Sequence, residues 1–283
     1  MTDKLIALVD GSIYSNSVCE NAAWIANRTG APVELLHVIG RRETTSTDLS
    51  GSIALGARTA LLRELTTLDE QRAKLAQKRG RAILDEAEAT LRAAGVEHLT
   101  SRLRQGDLLE AVAEAETGSR GIVIGKRGEA ADFAKLHLGS NLERIARTAR
   151  KPVFVAARAF RPITRVLIAY DGGTSATRAV EHIARAPLFA GLDIKVLTVG
   201  RETNEVRQHL ERAQAILRAG GHNVSVEIVS GEPDTVISDV AERDGSDLLI
   251  MGAYGHSRIR ALIIGSTTAE MMRSCRIPVV LFR

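Results

Sequence analysis

Aromatic residues and cysteine are scarce in this chain of 283 residues. Aromatic side chains make up 3% of it, and its two cysteines, Cys19 and Cys275, lie far apart and belong to no CxxC motif. Apolar residues still amount to 45%, so the core has to be built from Ala, Val, Leu and Ile, as is typical of parallel β-sheets. Isolated cysteines argue against a disulfide framework and favour buried thiols in a reducing compartment.

Long apolar stretches and clusters of one charge are also missing. No run approaches the roughly 18 apolar residues of a membrane span, and residues 1–10 lack the three regions of a signal peptide. The 38 basic and 34 acidic residues give a net charge of +4, with no Lys/Arg-rich run that contains aromatics. We therefore expect a cytoplasmic protein that neither inserts into membranes nor binds nucleic acid.

The common catalytic signatures are absent from the sequence. It contains no Gly-x4-Gly-Lys-Ser/Thr, no Gly-x-Gly-x-x-Gly after the first apolar run and no Gly-x-Ser-x-Gly. The seven histidines show no zinc-ligand spacing. These absences argue against a dehydrogenase, a standard kinase and a metal held by protein side chains. His256 is the only histidine that we consider as a contact of a phosphate. The commoner alternative for such a position is an exposed loop residue.

The sequence contains an internal repeat. The segment KLIALVDGS at residues 4–12 is echoed by RVLIAYDGG at residues 165–173, which begins 161 positions later. In both copies an Ala-rich helical stretch and a second apolar run follow, and each copy closes on an apolar strand introduced by a proline, Pro152 or Pro278. Short apolar strands that alternate with amphipathic helices predict an α/β fold with a parallel, doubly wound sheet in each copy.

The repeat predicts two tandem domains, residues 1–159 and 160–283. The first is longer by an insertion of about residues 41–78. A Thr/Ser/Gly-rich start predicts a loop, and leucines at near-heptad spacing predict a helix after it: Leu61, Leu65, Leu68 and Leu75. Because apolar stripes are usually core, we expect this helix to pack on its own domain. The alternatives are a lid or a surface for a partner.

A glycine-rich segment follows a buried strand of the second copy. Gly252, Gly255 and Gly265 have the spacing Gly-x2-Gly-x9-Gly and lead into Ser266 and Thr267. Glycines let backbone amides approach a ligand, and a helix that opens at this point offers unpaired amides and a favourable dipole to a phosphate. Each glycine alone is more typical of a structural turn. Together, at the carboxyl end of a parallel strand, they predict a phosphate-binding loop.

With these residues the chain resembles a tandem universal stress protein of the UspA superfamily over essentially its whole length. In that family Gly-x2-Gly-x9-Gly followed by Ser or Thr is the ATP-binding signature. The resemblance implies that Asp171 contacts the ribose and that Val199 and Met251 line the adenine pocket. An alternative for Asp171 is the N-cap of the helix that starts near Ser175.

The resemblance also implies details of the architecture. It predicts two Rossmann-like domains of the adenine nucleotide alpha hydrolase-like type, each with a mainly parallel five-stranded sheet. Their closing strands, residues 152–156 and 278–282, are expected to pair antiparallel, so that one chain forms its own pseudo-dimer. Such pairing would also protect apolar strand edges from aggregation. A further homodimer of chains is left open.

The first copy matches the signature less well, because ten residues rather than nine separate Gly128 from Gly139. The remaining matching positions are Asp10, Val38, Ile124, Gly125 and Ser140. Nearby bases either offset phosphate charge or form a solvated loop face: Lys126, Arg127 and Lys135. We therefore expect the second copy to bind ATP and the first to bind it weakly, differently or not at all.

Three functions are compatible with these residues. The favoured one is an ATP-binding regulatory protein of the stress response, with any Mg²⁺ carried by the nucleotide phosphates. The second is a slow ATPase, although no residue is identified that would orient the attacking water. The third is a protein-interaction module whose nucleotide clefts are vestigial. The expected partners are an adenine nucleotide and a protein that the sequence does not identify.

Overall fold

The computed structural model describes residues 3–40, 55–128, 140–253 and 265–283. These residues form ten strands and eight α-helices. The elements of the first half are β1 (Lys4–Leu8), α1 (Ser15–Thr29), β2 (Val33–Gly40), α2 (Leu55–Ala93), β3 (Leu99–Gly106), α3 (Leu108–Glu116), β4 (Ser119–Gly125), α4 (Ser140–Thr148) and β5 (Val153–Ala156). Those of the second half are β6 (Arg165–Ala169), α5 (Thr174–Arg185), β7 (Asp193–Val199), α6 (Asn204–Ala219), β8 (Asn223–Val229), α7 (Pro233–Arg243), β9 (Leu248–Gly252), α8 (Ser266–Ser274) and β10 (Val279–Phe282).

All ten strands belong to one sheet in the order β3-β2-β1-β4-β5-β10-β9-β6-β7-β8. Pairing is parallel within each half, and β5 pairs antiparallel with β10. Phe154 lies opposite Val280 at the centre of that junction. The predictions of a mainly parallel, five-stranded sheet in each copy and of antiparallel pairing between the closing strands are confirmed.

Each half has a point where the strand order reverses. The first strand of each half lies between its second and fourth, so β1 separates β2 from β4, and β6 separates β7 from β9. At such a point the connections leave in opposite directions and open a crevice at the carboxyl ends of the strands. Asp10 and Asp171 come two residues after the ends of β1 and β6, at these two crevices.

Helices cover both faces of the sheet. Because side chains alternate along a strand, Leu5 of β1 packs in a cluster with residues of α1, α2, α5 and α6. Its neighbour Ile6 packs in a second cluster with residues of α3, α4, α7 and α8. The result is a three-layer α/β/α arrangement with two aliphatic cores.

The inserted helix α2 does not pack along its whole length. From Gly80 onward it lies on the sheet, where Leu84 and Leu91 are buried. Earlier in the helix, Leu68 is 48% exposed and Leu75 is 67% exposed. The expectation that its leucines pack on their own domain is therefore wrong at these two positions, because α2 extends beyond the strands that bury its second part. Residues 41–54, which were expected to form a loop, lie outside the described residues.

A cationic side chain from each half contacts the C-terminal end of the last helix of the other half. The Lys126 ammonium, which follows β4, donates to the carbonyl oxygen of Cys275, the residue that ends α8. Nη1 of Arg283, which follows β10, lies 3.4 Å from the carbonyl oxygen of Arg147 in α4. Helix C-termini carry unpaired carbonyl groups and a negative partial charge. These two contacts therefore add electrostatic attraction to the junction of β5 and β10.

Gly220 lies where the end of α6 touches α5, and it provides a test of this packing. A Cβ atom there would lie 2.3 Å from the carbonyl oxygen of Ala184 and 2.9 Å from its Cα. Since both atoms are backbone, the two helices must separate in Gly220→Ala. We expect a loss of about 1–3 kcal/mol in the free energy of unfolding, measured by urea denaturation. Gly40→Ala is the matched control, because nothing lies within 4 Å of its added methyl group. Equal effects of the two substitutions would contradict the close approach of the helices.

Candidate functional site

Asp171 is exposed at the carboxyl edge of the second half. Its Oδ1 accepts a hydrogen bond of 2.8 Å from the amide of Gly173, and Gly172 has a φ of 74°, which favours glycine. The residue that caps α5 is Gly173, without a side-chain hydrogen bond. Asp171 is therefore not the N-cap of that helix. Its carboxylate is held by a local turn at the crevice between β6 and β9.

Val199 and Met251 lie on the two strands that flank β6. Val199 ends β7 and is half-buried, whereas Met251 of β9 is 5% exposed. Both belong to the apolar cluster on the face of α7 and α8. Met251 pairs with Ala169 of β6. The strand β6 therefore lies between the strands that carry the two predicted adenine contacts, and Asp171 follows its end.

The two ends of the glycine segment meet at the start of α8. The amide nitrogen of Gly265, the N-cap residue of α8, lies 3.5 Å from the carbonyl oxygen of Ala253. The hydroxyl of Thr268, which is 3% exposed, donates to the carbonyl oxygen of Gly252 at 3.1 Å. Ser266 is exposed and Thr267 is half-buried in the first turn of the helix. The first amides of α8 are thus presented directly beside the end of β9.

Some features of this site differ from the sequence-based prediction. Thr268 was not predicted to act in the site, although a hydroxyl two residues after a predicted phosphate contact was a usable signal. His209 was missed as well. Its Nδ1 lies 2.8 Å from the position that a Cβ on Gly172 would take. Since α6 brings it there from 37 residues beyond Gly172, no local pattern indicated this contact. Gly255 and His256 lie outside the described residues.

The corresponding turn in the first half is closely packed. Oδ1 of Asp10 accepts a hydrogen bond of 3.0 Å from the Ser12 amide. A Cβ on Gly128 would lie 2.8 Å from Oδ2 of the same carboxylate. One on Gly125 would lie 2.6 Å from the Cβ of Tyr14, a buried residue that stands where the second half has Ser175. The first glycine loop therefore packs against the groups that would have to receive a ribose.

Of the other nucleotide contacts predicted for the first half, the structure describes Val38, Ile124 and Ser140. Val38 of β2 is half-buried, and Ile124 of β4 is 6% exposed. Both pack on the face of α3 and α4, as Val199 and Met251 do on the equivalent face of the second half. Ser140 begins α4. Gly139 and Lys135 lie outside the described residues.

Lys126 takes neither of the roles that the sequence left open. It is 8% exposed, so it is not part of a solvated loop face, and its ammonium binds the Cys275 carbonyl. Burial lowers the pKa of this amine against the opposing effect of Cys275, and with a smaller contribution from Arg127 the pKa is about 8. The residue next to the first glycine of this loop thus serves the contact between the halves.

The described residues contain neither a metal-binding cluster nor a membrane-spanning helix. No three His, Cys, Asp or Glu side chains within them are grouped so that they could hold a metal ion. Among the helices of the same residues, none is both long enough and apolar enough to cross a membrane.

The fold and the site define a class of protein: two doubly wound α/β units with a glycine-flanked helix start at the crevice of the second. A model of the universal stress protein family matches residues 1–157 and 198–283. The chain therefore belongs to the universal stress protein family, as a tandem member with two such domains.

Individual relatives agree with this assignment. The chain is 38% identical to universal stress protein Slr1230 of Synechocystis sp. over 286 aligned positions, which cover 99% of each protein. Universal stress protein Rv1636 of Mycobacterium tuberculosis is 27% identical over 142 positions, which cover 41% of this chain and 93% of the relative. Among solved structures, a universal stress protein from Archaeoglobus fulgidus has a TM-score of 0.75 at 22% identity and covers 100% of this chain and 97% of its own. That likeness shows the fold.

The buried Lys126 gives stability a predictable dependence on pH. Its pKa is lower in the folded chain, about 8 against 10.5, so the unfolded chain binds more protons between these values and stability rises with pH. The destabilisation that burial of the ammonium causes is complete below pH 8 and disappears above pH 10.5. From pH 7 to pH 9 we expect the free energy of unfolding of the wild type to rise by about 1 kcal/mol more than that of Lys126→Met. Urea denaturation at several pH values measures this difference.

Lys74→Met provides the control, because Lys74 is exposed on α2. Its curve of stability against pH is expected to run parallel to that of the wild type. A Lys126→Met curve that is also parallel would mean that the ammonium is not buried.

Proposed function

We propose that this chain is an ATP-binding regulatory protein of the stress response that holds the nucleotide mainly at the crevice of its second half, with domains at residues 1–159 and 160–283. The observation that carries the proposal is the meeting of Gly252 and Gly265 at the start of α8, next to the Asp171 turn. A phosphate chain at this point would receive the first amides of α8 and the positive end of its dipole. The hydroxyls of Ser266 and Thr267 lie in the same turn.

The ribose and the base have separate contacts in this proposal. The exposed carboxylate of Asp171 can accept hydrogen bonds from ribose hydroxyls, and its local hydrogen bond to Gly173 already fixes its direction. Val199 and the accessible edge of Met251 supply apolar surface on one face of the sheet. His209 borders the turn from α6 and limits the space on that side. Mg²⁺, where present, would be carried by the phosphates and would neutralise part of their charge.

Crowding in the first half supports an unequal division between the two crevices. Gly128 lies against the carboxylate of Asp10, and Tyr14 fills the position next to Gly125. A buried contact with the other half also removes Lys126 from any phosphate. ATP at this crevice would have to displace packed groups, which costs binding energy. Its binding there is therefore weak or absent.

Titration calorimetry with ATP tests the proposal on the full chain. We expect one molecule of ATP per chain and an affinity about tenfold lower in Asp171→Asn, because the amide keeps the turn but loses the charged acceptor. Asp10→Asn is the matched control, since it makes the same change at the equivalent turn, and it should leave the affinity unchanged.

Other outcomes separate the components of the proposal. Two equal ATP sites, or loss of binding in Asp10→Asn alone, would overturn the assignment to the second half. Absence of ATP binding to the wild type, with no nucleotide released when the purified protein is denatured, would reject nucleotide binding altogether.

A further inference from the structure

A cavity of about 550 Å³ lies between the two halves. The amino-terminal ends of first-half strands, the carboxyl end of β10, one side of α5 and the last turns of α1 form its walls. A short 3-10 helix, Pro187–Phe189, completes the rim. Arg28 of α1 fixes this segment, because its Nε donates to the carbonyl oxygen of Leu188 at 2.7 Å. Within the described residues, none of those predicted to bind the nucleotide lines this cavity.

The inner surface of the cavity is apolar. It is lined by Leu5, Ile25, Phe154, Phe189 and Phe282, all 5% exposed or less. A volume of this size matches that of sites for small organic ligands, which typically measure about 300–1,000 Å³ and have mainly apolar walls with a few polar groups. An apolar body of a ligand would therefore find a preformed surface here.

Basic side chains lie around this apolar surface. Arg178, His182 and Arg185 follow one another at spacings of four and three residues, so they share one side of α5, and all three line the cavity. Arg120 at the start of β4 lines the opposite wall, where its Nε donates to the backbone oxygen of Asp3 at 3.2 Å. Desolvation and the charge of Arg120 both lower the pKa of His182.

Within the part of the chain that the structure describes, these arginines have no carboxylate partner. Asp3 and Glu181 also line the cavity, yet within the described ranges neither forms an ion pair with Arg120, Arg178 or Arg185. Arg178 has one weak contact, 3.4 Å from Nη1 to the backbone oxygen of Arg283. Three guanidinium groups against two carboxylates leave the surroundings of the cavity positive.

The fold itself does not require these cations. At the equivalent positions of α1, 161 residues earlier, stand Ser17, Asn21 and Trp24. Asn21 bonds locally to the carbonyl oxygen of Ser17 at 2.7 Å. The equivalent of Arg120 is Asp247, whose Oδ2 accepts hydrogen bonds from the amides of Thr164 and Arg165 at 2.9 Å each. The repeated unit therefore folds with neutral or acidic residues at the positions where the cavity has basic side chains.

We infer that this cavity binds an amphipathic anion, with an acyl or similar apolar chain on the inner surface and a carboxylate or phosphate head between the arginines of α5 and Arg120. Guanidinium groups form paired, charge-assisted hydrogen bonds with either head group. The apolar walls explain why a simple inorganic anion would use only part of the site. The site is independent of the proposed nucleotide crevice, so either can fail without the other.

Calorimetry of the full chain with laurate, dodecyl phosphate and dodecanol, each below its aggregation concentration, tests the inference. We expect at least one of the two anions to bind saturably at one molecule per chain, and dodecanol to bind at least tenfold more weakly. In the double variant Arg178→Gln/Arg185→Gln the anion affinity should fall about tenfold or more. Both arginines are exposed on α5, so the fold tolerates this change. Preference for laurate or for dodecyl phosphate identifies the head group.

Arg212→Gln is the matched control, because Arg212 is an exposed arginine on the neighbouring helix α6 and does not line the cavity. It should bind the anions as the wild type does. A bound anion should also raise the pKa of His182, which NMR can follow after assignment with His182→Gln. The inference is overturned if neither anion binds saturably, if dodecanol binds equally well, or if the double variant retains the affinity of the wild type.

Discussion

The antiparallel pairing of β5 with β10 is the interaction on which the rest of this molecule depends. Each half alone would leave a short apolar edge strand unpaired, which is a site for aggregation. Their pairing through Phe154 and Val280 converts two five-stranded sheets into one of ten strands. It also directs the carboxyl ends of the two halves toward opposite edges of the sheet. The two crevices are thereby separated, and the amino-terminal ends of first-half strands come to lie beside α5.

This junction gives different surroundings to the residues that follow Gly125 and Gly252. Lys126 follows Gly125 directly, yet its ammonium crosses to the last carbonyl of α8 and contributes to holding the halves together. Its counterpart after Gly252 is Ala253, which is buried and carries no charge. A loop that supplies a buried cation to an interface is constrained by that contact.

The sequence predicted what depends on local pattern and on the repeat. Buried aliphatic runs, the prolines before the closing strands and the match of the two copies led to the strands, their order along the chain and the start of α8 at Ser266. Except for the pairing of the closing strands, it did not predict contacts between side chains that are far apart in the sequence. The direction of Lys126, the packing of Tyr14 on Gly125 and the approach of His209 to Gly172 all join elements distant in sequence. The exposure of Leu75 follows from the reach of α2 beyond the sheet, which a heptad pattern does not specify.

The helix α5 connects the two sites that we propose on different grounds. It begins immediately after the Asp171 turn, and its middle and end carry Arg178 and Arg185 along the cavity. A rigid helix of twelve residues transmits a shift at one end to the other, because interiors at native density deform little. The helix packs against β9 and β10, so a movement of α5 would also displace strands at the junction of the halves. The pairing of β5 with β10 therefore also constrains the helix that runs from the Asp171 turn to the cavity.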